Sequence, residues 1–439
     1  MYSKERRSLL SSEARVQAPF VKVTIGNFTF GVFSSTEKKA RDKDGFYSAQ
    51  YNIQYPNYVD SLNITKINGQ VNTYSLVFRY PVRPTDDPNF FEKVFSSVSD
   101  TRKIVFSYGD SSMPSYIYKD EEAIITDVKT AFSFGSGGGT ESIITYTVSA
   151  VSASALGLSG CFTFINSGKK RPSEEIKKIF FNPTYGLENI FTGMNRGNID
   201  YLIEGGDKEV ELNTQVNVSV LDYITYLVSC MIPAGSTETN VSNTIYILTM
   251  HDDTTYDKLY NEVSNASGPY FKVSSTSYLT DKSDAYEINL GYNTTPIVTN
   301  FSIDNNENYS IYYDYQKKLY PEEYVKRLNN NGEWEDVFAP SISSKNEYFQ
   351  TIADDITWWT KITKYPINAS ITVQGLLRPA MLMSYVRLNV IFPGGHKHIS
   401  SGLYIVTKQI DNINGNGYRT TLSLTRIGGS DQLKTTNNL

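Results

Sequence analysis

The sequence predicts a mainly β protein with short helices, built as two related β-barrels joined by a helical and mixed middle region. Three observations predict it. Apolar residues alternate with polar ones in many short runs, and Gly- and Asn-containing pairs separate those runs, which is the period-two signature of half-buried strands and tight turns. The 439 residues include 33 Tyr and 22 Phe in a chain rich in Thr, Ser and Asn, a composition that suits pleated surfaces joined by polar turns. Two hairpins far apart in the chain also read alike.

The length is that of several packed units, and 40% hydrophobic with 20% charged residues is a folded composition. With 41 basic and 46 acidic residues the formal charge is −5, so bulk electrostatics recruits neither nucleic acid nor anionic lipid. No window approaches the roughly 18 apolar residues of a spanning helix, and Met1 to Arg15 lacks an apolar signal core. The expectation is a chain that is neither a membrane protein nor a Sec substrate.

Met1 to Val16 shows no periodicity and reads as an arm, residues 1–18. Val21, Val23, Ile25 and then Phe28, Phe30, Val32 alternate around Gly26-Asn27, which predicts a hairpin. Leu62, Ile64, Ile67 and Tyr74, Leu76, Phe78, Tyr80 repeat the pattern across Asn68-Gly69. Asp86-Asp87-Pro88 offers a carboxylate cap and a first-turn proline. Phe90, Phe91, Val94, Phe95 and Val98 follow at helical spacing, so one amphipathic helix is expected against the first barrel. Lys103 to Tyr108, Tyr116 to Tyr118, Glu122 to Thr130 and Ser142 to Val151 read as strands, the last two flanking a flexible loop at Gly135 to Gly139. The first barrel domain is therefore 19–155.

In the middle region, 156–285, Pro172-Ser173-Glu174-Glu175 opens a helix. Leu187, Ile190 and Phe191 indicate a second, and Val220 to Met231 a third that stops before Pro233. Strands resume at Ile245 to Met250, Tyr270 to Val273, Tyr286 to Leu290 and Ile297 to Ile303; Tyr309 to Gln316 reads equally as strand or helix start. The second barrel domain is 286–430 with an insertion at about 304–369, and 431–439 is a tail. Ala123 to Lys129 with Tyr146 to Val151 can be laid beside Leu403 to Gln409 with Thr421 to Ile427, as closing hairpins of one type.

Site chemistry is sparse. His396 and His398 are the one close histidine pair; zinc would need His251 or a distant carboxylate as third ligand, and a solvated turn after Gly394-Gly395 is the simpler reading. No serine sits in a G-x-S-x-G elbow. Gly168-Lys169 resembles the end of a phosphate loop, yet Thr163 occupies the first glycine position and Lys170 the Ser/Thr position. Asp354-Asp355 are adjacent carboxylates that diverge on either a strand or a helix, which suits a hydrolase poorly. Nine sequons from Asn27 to Asn368 match what an Asn- and Thr-rich chain gives by chance. Cys161 and Cys230, too few for a disulfide framework, read as buried, reduced thiols. No catalytic residue, metal or cofactor is assigned. Trp358, Trp359, Gly137, Gly138 and Asn416 are the candidate partner-contact residues, the tryptophans as an aromatic platform and the others as loop tips.

The segment Gly375-Leu376-Leu377-Arg378-Pro379-Ala380-Met381-Leu382-Met383, the strand Val386 to Phe392, the run Gly402-Leu403-Tyr404-Ile405-Val406 and the run Gly417-Tyr418-Arg419-Thr420-Thr421-Leu422-Ser423-Leu424 resemble, in that order, the closing barrel of tailed-phage baseplate hub proteins. Asn68 to Asn72 and Asp86 to Phe95 are similar to the tube-like barrel with one flanking helix of the same hubs, so the resemblance covers both ends, about half the chain. It implies a structural, non-enzymatic homotrimer with two tube-like barrels per chain. Such a hub adapts a six-fold tail tube or distal tube protein above to a three-fold central spike below, beside other baseplate proteins. It also implies a virion location, assembly in the host bacterial cytoplasm, DNA only in transit through the lumen, and no membrane insertion. A receptor- or glycan-binding tail protein, using Trp358-Trp359, is the alternative.

Overall fold

The computed structural model describes residues 19–32, 53–56, 58–110, 118–134, 142–164, 168–234, 244–252, 268–277, 285–292, 294, 298–305, 367–374, 382–398 and 400–428. The expected N-terminal arm, the Gly135 to Gly139 loop, Tyr309 to Gln316, nearly all of the insertion and the tail lie outside the described residues. The protein is mainly β, with short helices.

The first unit comprises β1 (Pro19–Ile25), β2 (Phe28–Val32), β3 (Tyr55–Pro56), β4 (Val59–Ile67), β5 (Thr73–Val82), α1 (Phe90–Ser96), β6 (Lys103–Asp110), β7 (Tyr118–Ser133) and β8 (Ser142–Ser152). Both predicted hairpins form: Ile25 pairs Phe28 around Gly26, which has a left-handed φ of 57° and where a Cβ would meet Ser97 Oγ at 2.7 Å, and Thr65 pairs Thr73 around Gly69. Of the predicted strand at Tyr116 to Tyr118, the first two residues lie outside the described residues; Tyr118 and the predicted strand Glu122 to Thr130 belong to one long strand, β7. Alternation delivers Val21, Val23, Phe30, Leu62, Ile64, Leu76 and Phe78 to one core, and α1 closes it with Phe91 and Val94, both fully buried. Phe91 lies 4.9 Å from the Tyr146 ring and 5.4 Å from Phe30, stacked on both. The predicted capping is corrected in detail. Asn89 is the N-cap residue and its side chain caps nothing, while Asp87 Oδ1 accepts from Asn89 N at 2.9 Å, so the Asp87-Pro88 pair shapes the entry turn instead of the first helical turn.

The middle unit holds α2 (Ala155–Leu158), β9 (Cys161–Phe164), β10 (Lys169–Lys170), α3 (Pro172–Phe180), α4 (Leu187–Ile190), α5 (Ile199–Leu202), β11 (Val210–Glu211), β12 (Gln215–Ser219), α6 (Val220–Ser229), β13 (Thr244–His251) and β14 (Tyr270–Ser277). Its core gathers Ile176, Phe180, Ile224 and Leu227 against Leu248, Phe271 and Val273. Ser219 caps α6 by accepting from Asp222 N at 3.0 Å. The thiol expectation is corrected here: Cys161 is exposed and Cys230 half-buried, though neither is in a disulfide. The cause is phase, because Phe162 and Phe164 take the inward face of β9 and leave Cys161 outward with Thr163.

The last unit is β15 (Tyr286–Gly291), β16 (Val298–Asn305), β17 (Ile367–Gln374), β18 (Tyr385–Ile391), β19 (Gly402–Asn414) and β20 (Gly417–Gly428), around Ile288, Leu290, Ile371, Leu388, Tyr404 and Leu422. Its sheet order, β16-β17-β20-β19-β18-β15, repeats the order β4-β5-β8-β7-β6-β1 of the first unit, strand for strand in chain order. The repetition reaches single bonds. β7 carries a bulge at Thr126 and β19 one at Thr407. Thr126 Oγ1 donates to Ser149 O at 3.1 Å, as Thr407 Oγ1 does to Ser423 O at 3.2 Å. Ile125 N donates to Arg102 O at 2.8 Å, and Val406 N to Ser384 O at 3.1 Å. The units differ at one place in that order: β1 runs antiparallel to β6, whereas β15 runs parallel to β18.

Candidate functional site: the three-way junction and the open sheet edges

β19 joins the units. Before its bulge it pairs with β18; beyond it, residues 408 to 414 pair antiparallel with β4, from Lys408 opposite Ile67 to Asn414 opposite Ser61. Fourteen described strands thereby form one continuous sheet. Ile413, opposite Leu62, and Tyr418 are buried in the core of the first unit.

The junction is polar inside. Lys66 stands in phase with the inward Leu62 and Ile64, and Glu121 in phase with Ala123 and Ile125, so the pleat buries both charges. Lys66 Nζ lies 3.1 Å from Glu121 Oε1, and the Tyr74 and Tyr108 hydroxyls donate to Glu121 Oε2 at 2.8 and 3.0 Å. That set of donors satisfies a carboxylate that burial alone would make costly. Across the strand pair, Asp411 is fully buried and accepts from Thr420 Oγ1 at 2.7 Å and Gln409 Nε2 at 2.8 Å. Burial pushes its carboxyl up to about 6, against the opposing pull of those bonds and of the Lys66 charge.

The middle unit enters through the end of β13. The Asp252 carboxylate accepts from Asn72 Nδ2 and, at 2.6 Å, from Ser152 Oγ, and Gly69 N donates to Leu248 O at 2.8 Å. Burial, then the Glu121 charge, pushes Asp252 up to about 6. Next to it the His251 ring stacks on Tyr270 at 4.5 Å; burial, with the Lys272 and Lys66 charges, drives its basicity down to about 3, so it is neutral at physiological pH. On the other side Ile247 of β13 packs with Leu403 and Ile405, which places all three units around β19.

Among the open sheet edges of the described residues, two carry exposed phenylalanines. β6 covers β7 only as far as Ile124, so from the bulge to Ser133 the outer edge of β7 has no strand beside it among the described residues. Phe132 and Phe134 there are 60% and 78% exposed, with near-parallel rings 6.2 Å apart. β16 pairs only with β17 among the described residues, and Phe301 on it is 39% exposed. An unpaired edge with exposed apolar side chains is a surface on which a further strand can add.

Of the predicted contact residues, Trp358, Trp359, Gly137 and Gly138 lie outside the described residues, and Asn416 sits exposed in the β19–β20 turn, its N donating to Asn414 Oδ1 at 2.8 Å. His396 and His398 are exposed, and His251 stacks on Tyr270; no group of three or more His, Cys, Asp or Glu side chains able to hold a metal occurs among the described residues. Gly168-Lys169 leads into β10, its glycine N donating to Glu211 Oε1 at 3.0 Å. The Lys66, Glu121, Asp252 and Asp411 cluster was not singled out by motif, although three of its members carry a legible signal: a charged residue in the inward phase of an apolar strand.

No family model matches the sequence, and no characterised protein matches it by sequence. Among solved structures, the chain is similar to the 43 kDa tail protein of prophage MuSo2 from Shewanella oneidensis, with a TM-score of 0.47 and 10% identity over 94% of this chain and 98% of that one. It is similar to a tail protein from Neisseria meningitidis, with a TM-score of 0.44 and 8% identity over 93% and 96% of the two chains. It is also similar to a component of the type VI secretion system of E. coli, itself described as similar to the T4 phage tail proteins gp27 and gp5. That match has a TM-score of 0.39 and 11% identity over 85% and 74%.

Proposed function

We propose that this chain is a structural hub of a phage tail or a related contractile injection machine, a homotrimer that seats a six-fold tail tube on a three-fold spike. The observation that carries this reading is the internal equivalence: one chain holds two units with the same strand order, the same bulge and the same bulge hydrogen bonds. A closed ring repeats its contacts once per symmetry step, so a six-fold partner meets a trimer evenly only if each copy offers two like surfaces. The units 19–155 and 286–430 are those surfaces, and the middle unit, 156–285, fixes their angle through Asp252 and β13.

The adapter turns over no substrate. Its partners are the tube or distal tube protein above, the spike below and neighbouring baseplate proteins, with DNA passing through the lumen. The net charge of −5 suits a conduit that must not retain a polyanion. Assembly takes place in the bacterial cytoplasm before incorporation in the virion. The receptor- or glycan-binding alternative rests on Trp358 and Trp359, and no described residue favours it. Mass photometry of the purified chain tests the reading: a trimer is expected, and a monomer at every concentration, together with a glycan-array signal, overturns it.

A further inference from the structure

The internal equivalence specifies how one copy meets the next. Inside the chain, the distal half of β19 finds the outer edge of β4. Their counterparts, the distal half of β7 and the outer edge of β16, each lack that partner strand among the described residues. A single chain cannot satisfy both by the same geometry, since its own β19–β4 contact already sets the spacing of its two units. We propose that β7 of one copy pairs antiparallel with β16 of the next, reproducing between copies the β19–β4 junction within each copy. This rests on the ring reading above and adds its register.

The register follows from hydrogen-bonded pairs. Ser149 and Ser423 are equivalent, as the carbonyls that accept from the bulge threonines. Ser75 pairs Ser149, and Ser370 pairs Ser423. Asn63 pairs Ser75, and Ser302 pairs Ser370. Asn63 of β4 therefore corresponds to Ser302 of β16, with Leu62 corresponding to Phe301 and Thr65 to Asp304. Counting from the bulges in the same way, Asn412, Ile413 and Ile410 of β19 correspond to Ala131, Phe132 and Lys129 of β7.

The observed pairs Asn412–Asn63, Ile413–Leu62 and Ile410–Thr65 then become Ala131–Ser302, Phe132–Phe301 and Lys129–Asp304 between copies. Two features of this alignment were not used to build it. It sets the exposed Phe132 opposite the exposed Phe301, in the place where the buried pair Ile413–Leu62 seals the internal junction. It also sets the Lys129 ammonium opposite the Asp304 carboxylate; Lys129 is otherwise only 3.8 Å from the exposed Asp127. A one-residue slip would put Phe132 and Phe301 on opposite faces and break both matches.

The test uses the full chain carrying Cys161→Ser and Cys230→Ser, with Phe132→Cys and Phe301→Cys added and a mild copper oxidant. Interchain disulfides are expected on a non-reducing gel, as a dimer and trimer ladder that reductant removes; the slipped pair Phe132→Cys with Ser302→Cys should give none. In parallel, Lys129→Glu should weaken association several-fold, and adding Asp304→Lys should restore it. If the protein is trimeric by mass photometry but the Phe132/Phe301 pair does not cross-link and the charge swap does not rescue, this register is wrong while the hub reading stands. A chain that is monomeric throughout defeats both.

Discussion

Beyond its bulge at Thr407, β19 keeps β20 on one edge and takes β4 on the other; beyond the equivalent bulge at Thr126, β7 keeps β8 but has no strand on its outer edge among the described residues. The two strands are otherwise built alike, down to the hydroxyl that donates to a serine carbonyl across the bulge. What differs is the side chain beyond it: Ile413 is buried, and Phe132 is largely exposed. A bulge bends its strand and increases the local twist, which changes the direction in which the outer edge beyond it faces. If the proposed pairing holds, the internal β19–β4 junction is the template for the contact that the outer edge of β7 makes with the next copy.

The cores of the units have diverged while the sheet order has not. The first is filled by aromatic rings around α1; the second, by Ile288, Leu290, Ile371, Leu388 and Leu422 with no described helix against it. The largest expected effect tests that contrast. Phe91→Ala removes a ring packed on Phe30, Phe78 and Tyr146 and should cost about 3 to 5 kcal/mol in chemical denaturation. An unchanged midpoint would show that α1 does not fill the first core.

Next in size is the ion pair at the junction. Lys66→Met leaves Glu121 buried with only the two tyrosine hydroxyls, at a cost of about 3 kcal/mol, and combining it with Glu121→Gln should recover most of the loss. Equal losses in the single and double variants would mean that the charges are not coupled.

The Asp411 carboxyl gives a pH signature of opposite sign to ordinary acid denaturation. Its folded value, about 6, lies above that of an unfolded carboxylate, so the folded state holds a proton that the unfolded chain releases. Its contribution is fully present below about pH 4 and is lost as pH rises through 6, a change of up to about 3 kcal/mol. Asp252 acts in the same direction. Asp411→Asn should therefore flatten the melting-temperature profile between pH 4 and 7 and raise its neutral end; an unaltered slope would contradict the buried placement. Smallest, and most direct as a comparison of the units, are Thr126→Val and Thr407→Val, each expected to cost about 1 kcal/mol through one lost hydrogen bond. A neutral change at one and a large one at the other would separate bulges that the geometry makes equivalent.

Much of this architecture was legible in the sequence because half-buried strands write their phase in alternating residues, as Val21-Lys22-Val23 and Tyr74-Ser75-Leu76 do. The likeness of the two closing hairpins is legible too, but one residue out of register: the sequence pattern sets Ala123 against Leu403, whereas the bulges align it with Tyr404. The reason is that Leu403 to Val406 are all buried, between the core of the last unit on one face and Ile247, Met383 and Tyr385 on the other, so alternation vanishes where it was needed. Cys161 misled because its residue type favours burial while its phase does not. The junction carboxylates were legible only as charges in an inward phase, a signal that identifies no partner; Lys66 and Glu121 are brought together by sheet topology, 55 residues apart.

The central claim, that each chain contributes two equivalent units to one ring, is tested most directly by imaging the purified oligomer by cryo-electron microscopy without imposed symmetry. The account predicts three copies, six β units at one radius and an unbroken sheet running through β19–β4 within copies and β7–β16 between them. Units at two different radii, or a particle that is not three-fold, would contradict it.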